Sequence, residues 1–142
     1  MGTNNSNRLL KNNFKDWLAD HPEINPYKFS LGQLFRKATK RFRKLPEFLV
    51  IGGAKCGTTS LFSYILQHPK VVAPTLKEVH FFEYLSKTNE SWYRMHFPIK
   101  KNGIVTGEAT PGYLVHPFVP ERVYKIIPNV KLIIILRNPV DR

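Results

Sequence analysis

The sequence predicts an α/β fold, a parallel sheet of P-loop-like type flanked by helices, and three observations carry that expectation. Phe48-Leu49-Val50-Ile51 is a short apolar run that stops at Gly52-Gly53, as a strand buried on both faces does when it enters a glycine turn. Lys131-Leu132-Ile133-Ile134-Ile135-Leu136 is a second such run and reads as the central strand. Between the two lie stretches with apolar residues at helical spacing, and strands alternating with helices imply a parallel sheet covered on both faces.

In chain order, residues 1–45 read as a basic leader and residues 46–142 as the domain. Residues 1–30 are irregular, with a short helix at Phe14–Ala19 and breakers at Asp20-His21-Pro22 and Asn25-Pro26. Residues 31–44 form a basic amphipathic helix, with Leu31, Leu34, Phe35, Ala38 and Phe42 on one side, and Pro46 ends it. After the glycine turn, Thr58 or Thr59 caps a helix whose apolar face is Leu61, Phe62, Ile65 and Leu66. Val71-Val72 starts a short strand. A helical stretch follows at Ser91–Phe97, then a strand at Gly103–Gly107. Pro120 opens a helix that runs through Val123 and Ile126 to Pro128. A doubly wound sheet continues past a strand such as Lys131–Leu136, so the domain reads as truncated at Arg142.

Composition narrows the function classes. The 42% hydrophobic content of the 142 residues fits a globular chain. No apolar run approaches the roughly 20 residues of a membrane span, and the Asn-rich, basic N-terminus lacks the apolar core of a secretory signal. A cytoplasmic or peripheral membrane protein is expected. Cys56 is the single cysteine and the five histidines are scattered, so no zinc set is expected. The net charge is +12, and residues 1–44 hold ten Lys/Arg against three Asp/Glu. Such a balance suits a polyanion or an anionic membrane surface.

The turn Gly52-Gly53-Ala54-Lys55-Cys56-Gly57-Thr58-Thr59-Ser60 joins a strand to a helix start. Unpaired N–H groups there, with the helix dipole, favour an anion. Glycines let the backbone approach a phosphate, Lys55 supplies a cation, and Thr58, Thr59 and Ser60 supply hydroxyls. A nucleoside triphosphate P-loop reads Gly-x-x-x-x-Gly-Lys-Ser/Thr. Gly52 and Gly57 keep that spacing, but Thr58 stands where the lysine belongs and the lysine is at Lys55.

With those residues in view, Phe48–Leu61 resembles the 5′-phosphosulfate loop of sulfotransferases that use 3′-phosphoadenosine 5′-phosphosulfate (PAPS), nearest the heparan sulfate and carbohydrate type and its microbial relatives. Lys77-Glu78-Val79-His80-Phe81-Phe82, Glu108-Ala109-Thr110-Pro111-Gly112-Tyr113 and Val119-Pro120-Glu121-Arg122-Val123 are similar to further blocks of that family. Ile133–Arg142 resembles the start of its 3′-phosphate motif, so the likeness covers residues 46–142. The resemblance implies PAPS as co-substrate, no metal, and a glycan or other hydroxylated acceptor rather than a nucleic acid. It implies that Lys55, Cys56, Gly57, Thr58, Thr59 and Ser60 hold the 5′-phosphosulfate and Arg137 the 3′-phosphate. It implies Glu78 as general base, with Lys55 at the leaving oxygen and His80 orienting Glu78 or the acceptor.

A carboxylate in a positive site has a depressed pKa, which partial burial against Phe81 and Phe82 can offset to an extent the sequence does not fix. On an extended segment Glu78 and His80, two apart, face the same side. Tyr113 and Trp92 are expected to be packing residues. Two departures stand out. Ala109 replaces the lysine that heparan-type members usually carry, which counts against a glycosaminoglycan acceptor. The family's motif also runs on to a serine eight residues past the arginine, beyond Arg142. Two other readings remain: a P-loop NTPase or kinase, and a non-catalytic basic module that binds a polyanion.

Overall fold

A computed structural model describes residues 31–84, 89–138 and 140; the helix expected at Phe14–Ala19 and the residue Arg142 lie outside these. The chain divides into two units, Met1–Leu34 and Phe35–Arg142. The second carries the sheet and the motifs.

Strand β1 (Phe48–Gly52) is buried along its whole length. It pairs in parallel with β2 (Gly107–Ala109) on one side and β3 (Lys131–Ile135) on the other, giving the order β2-β1-β3. Helices α1 (Leu31–Ala38), α2 (Thr58–Ile65), α3 (Glu90–Arg94) and α4 (Val119–Ile126) complete the regular structure of the described residues, with 3-10 turns at Lys40–Phe42 and Pro111–Leu114. This is the expected α/β arrangement of a parallel sheet with helices.

The expectation of a central β3 is corrected. β1 is central among the described strands, and β3 flanks it with Leu132 and Ile134 more than half exposed. An apolar run reports that a strand is to be covered, not which strand covers it. Three boundaries also move. The second strand is Gly107–Ala109 rather than Gly103–Gly107, and Val71 makes only an isolated parallel bridge to Val105. The basic helix stops at Ala38, where the Thr39 hydroxyl donates to the carbonyl of Phe35 at 2.7 Å, a local bond of the kind that competes with helix continuation.

Two apolar clusters sandwich β1. Phe48 and Val50 pack with Phe62 and Ala109 on one face. Leu49 and Ile51 pack on the other with Phe81, Phe82, Tyr93, Phe97, Tyr113 and the α4 residues Val119 and Val123. Alternating side chains along a strand must point to opposite faces, so four consecutive apolar residues serve two cores. Phe81 stacks on Tyr93 at 4.3 Å between centroids and Phe82 meets Tyr113 edge-on at 5.4 Å. That aromatic block delivers two tyrosine hydroxyls to one buried point.

Candidate functional site

The site is assembled at the carboxyl ends of β1 and β3, where open parallel sheets bind ligands. β1 leaves the sheet at Gly52, paired with Ile135 of β3. A Cβ on Gly52 would lie 2.2 Å from the Ile135 carbonyl oxygen, so only glycine allows this close approach. The loop then turns through Lys55 at φ 61° and Gly57 at φ 98°. Gly57, not Thr58 or Thr59, is the N-cap of α2, and no side chain caps the helix. The left-handed glycine starts the helix without using a threonine hydroxyl, so the N–H groups of the first turn keep their donors for an anion.

Of the loop residues, Lys55, Thr59 and Ser60 are exposed, Cys56 is half-buried, and Thr58 is buried against the core. The donors offered here are an ammonium, hydroxyls and backbone N–H groups, a set suited to a phosphate or phosphosulfate. Arg137 lies two residues beyond β3, exposed, at the same edge of the sheet.

The segment Lys77–Tyr84 supplies the titratable groups. The Lys77 ammonium donates to Thr59 Oγ1 at 2.7 Å and forms an ion pair with Glu78. His80 Nε2 is 3.4 Å from Glu78 Oε2, and its Nδ1 is 2.8 Å from Glu83 Oε2. Glu78 and His80 therefore meet, but not through an extended segment. His80 has φ 54°, and the chain turns there. The hydrogen bond to His80, joined by Lys77 and outweighing desolvation, holds the Glu78 carboxyl down at about 2. The offset from burial is present but is outweighed by the bonds to His80 and Lys77. Burial pushes His80 down, but the bonds to Glu78 and Glu83 prevail and raise it to about 9.

Three contributors escaped the sequence reading. Glu83 clamps the far nitrogen of His80. Arg122, inside the fourth motif block, donates from Nη1 to the carbonyls of Phe82 at 2.5 Å and Glu83 at 3.0 Å, fixing the turn that carries the histidine.

Glu108 is fully buried and accepts four hydrogen bonds: Tyr93 OH (2.5 Å), Tyr113 OH (3.0 Å), Thr110 Oγ1 (3.0 Å) and the Val79 N–H (3.1 Å). Burial outweighs the four donors and leaves its pKa raised, while the donors pull it partway back; they occupy the four acceptor positions that a carboxylate offers. Because Val79 sits between Glu78 and His80, this carboxylate pins the segment from beneath. A glutamate inside a motif block, followed two residues on by Thr110 and five on by Tyr113, was the available signal. Tyr113 is buried as a packing residue, and Trp92 packs against the same cluster, as expected.

No protein-family model matches the chain. It is 39% identical over 101 residues to the membrane-associated sulfotransferase kil1 of Dictyostelium discoideum, covering 69% of this chain and 21% of that protein. It is 38% identical over 100 residues to heparan sulfate glucosamine 3-O-sulfotransferase 6 of Homo sapiens, covering 70% of this chain and 29% of that protein. Among solved structures it is similar to a sulfotransferase from Alicyclobacillus acidocaldarius, with a TM-score of 0.60 and 33% identity, over 69% of this chain and 47% of that one. The chain thus spans less than a third of the length of these curated relatives.

Proposed function

We propose that this chain, homologous to sulfotransferases in sequence and in fold, forms the donor side of a site that transfers a sulfuryl group from PAPS to a hydroxyl, or an amine, of a carbohydrate-like acceptor. One observation carries the reading. An uncapped phosphate loop and a carboxylate-histidine pair are joined by the hydrogen bond between Lys77 and Thr59, 18 residues apart along the chain.

PAPS supplies the sulfuryl group and its phosphate leaving group; the residues of this chain position and neutralise. The backbone of Cys56–Ser60 and the hydroxyls of Thr59 and Ser60 hold the 5′-phosphate, with Lys55 at the oxygen where charge develops. Arg137 holds the 3′-phosphate, the feature that separates this nucleotide from ATP. Glu78 takes the acceptor proton. His80, oriented by Glu83, steadies Glu78. The glycan class of the acceptor is supported by the carbohydrate-directed relatives, while Ala109 stands where those of the heparan type usually carry a lysine.

Calorimetry with adenosine 3′,5′-bisphosphate, on the chain and on a polypeptide extended past Arg142, tests the donor site. Tight binding is expected, and Arg137→Ala should weaken it about tenfold or more. Binding of magnesium ATP in its place would refute the reading and favour an NTPase. Glu78→Gln should stop transfer without weakening nucleotide binding.

Peripheral contact with an anionic membrane is part of the same proposal. Phe35 and Phe42 are more than half exposed beside the exposed cations Lys37 and Arg41, and one relative is described as membrane-associated. No described helix is long and apolar enough to cross a membrane. Sedimentation with phosphatidylserine vesicles should capture the protein, and equal capture by Phe42→Ala/Arg41→Ala would remove this contact.

A further inference from the structure

The same short segment that carries Glu78 also carries Lys77, and the Lys77 ammonium serves two parts of the site at once. It donates to Thr59 Oγ1 in the first turn of α2 and pairs with the Glu78 carboxylate on its other side. Both side chains are about a third exposed, 30% for Lys77 and 35% for Glu78. An anion arriving at the loop therefore reaches the ammonium without repacking the core. An ammonium has three donors on a flexible stem and can turn among acceptors. The Thr59 hydroxyl, accepting from Lys77, keeps its own proton for an oxygen held at the helix start.

Resting on the donor-site reading above, we propose that Lys77 is a positioning residue that hands its charge from Glu78 to the phosphate of the bound donor, so that the base is freed when the donor is in place. The two negative charges of a bound phosphosulfate or phosphate attract the ammonium more strongly than a single carboxylate charge does, since the attraction scales with charge. The groups facing Glu78 are Lys77 and His80, with Glu83 and Tyr84 behind the histidine. The transfer alters the first of these and leaves the histidine pair standing. Without the donor, Glu78 is a locked ion-pair partner, consistent with a carboxyl held near 2, and a poor proton acceptor. With the donor, one of its two cationic partners is engaged elsewhere. Idle proton uptake at an empty site is thereby limited.

The test is a carbon-13 NMR titration of the Glu78 carboxyl, assigned with Glu78→Gln, in the protein alone and saturated with adenosine 3′,5′-bisphosphate. Calorimetry on the same samples establishes that the nucleotide is bound. The Glu78 pKa should rise by about one unit or more on saturation. In Lys77→Met it should start higher, and the nucleotide-induced rise should fall to less than half. Lys77→Arg should restore much of the wild-type response. Nucleotide bound with Glu78 unmoved in the wild type overturns the proposal by itself, whatever becomes of the variants. An undiminished rise in Lys77→Met also overturns it. Failure of the nucleotide to bind overturns the donor-site reading and this inference with it, and calorimetry tells that failure from the other two.

Discussion

Replacing Glu108 with leucine should cost this domain a large part of its stability. The substitution strands four donors at a fully buried point: the hydroxyls of Tyr93, Tyr113 and Thr110 and the N–H of Val79. Each unsatisfied buried donor costs about 1–3 kcal/mol, giving a gross loss of roughly 4–12 kcal/mol. Rotation of the three hydroxyls and removal of a buried carboxylate offset part of this, so the expected net loss is about 3–5 kcal/mol. That is a substantial share of the roughly 5–15 kcal/mol that holds a domain folded. Glu108→Gln should cost less, about 1–2 kcal/mol. Its carbonyl oxygen can keep the Val79 N–H, which cannot turn away, while the amide faces tyrosine hydroxyls that rotate to accept from it. Equilibrium urea unfolding of the three proteins measures the series. If Glu108→Leu unfolds within about 1 kcal/mol of wild type, the four bonds do not hold the segment in the way argued.

Two further outcomes follow from the site. Gly52→Ala should destabilise by about 3 kcal/mol or more and weaken nucleotide binding, because its Cβ would sit 2.2 Å from the Ile135 carbonyl; unchanged thermal melting and affinity would show that the strands part freely there. The His80 network should make stability fall in alkali. A histidine raised to about 9 stabilises fully below its unfolded value near 6.5 and loses that contribution as pH rises through 9. Glu78, held near 2, behaves oppositely: its contribution is present above about 4.3 and is lost as pH falls toward 2. Thermal melts of wild type and His80→Gln should therefore converge between pH 8 and 10. A gap that stays constant across that range would dissociate the histidine from the pairing described.

What could be read from the sequence was what is local. Phe48–Ile51 running into Gly52-Gly53 announces a buried strand and its turn within a few residues, and β1 and the phosphate loop follow. Lys77, Glu78 and His80 are within four residues of one another and were legible as one group. The rest depends on distant partners. Glu108 finds Val79 29 residues away and Tyr93 15 residues away, and no pattern around Glu108 states that these will converge. Arg122 reaches back 40 residues to Phe82. β3 looked central because its residues are as apolar as those of β1, yet apolarity is silent about neighbours. The left-handed turn at His80 was hidden too, because φ above zero is uncommon outside glycine and an extended reading seemed to bring Glu78 and His80 together unaided.

The parallel pairing of β1 with β3 has a further consequence. Gly52 faces Ile135 across one rung of the ladder, and adjacent strands stand roughly 4.8 Å apart. Lys55 departs three residues past one end of that rung and Arg137 two residues past the other. If the two basic side chains hold opposite ends of one nucleotide, the sheet itself is the caliper that measures it. Substituting either side chain would then change how firmly the ligand is gripped, whereas only a slip of strand register would change the length of ligand that fits.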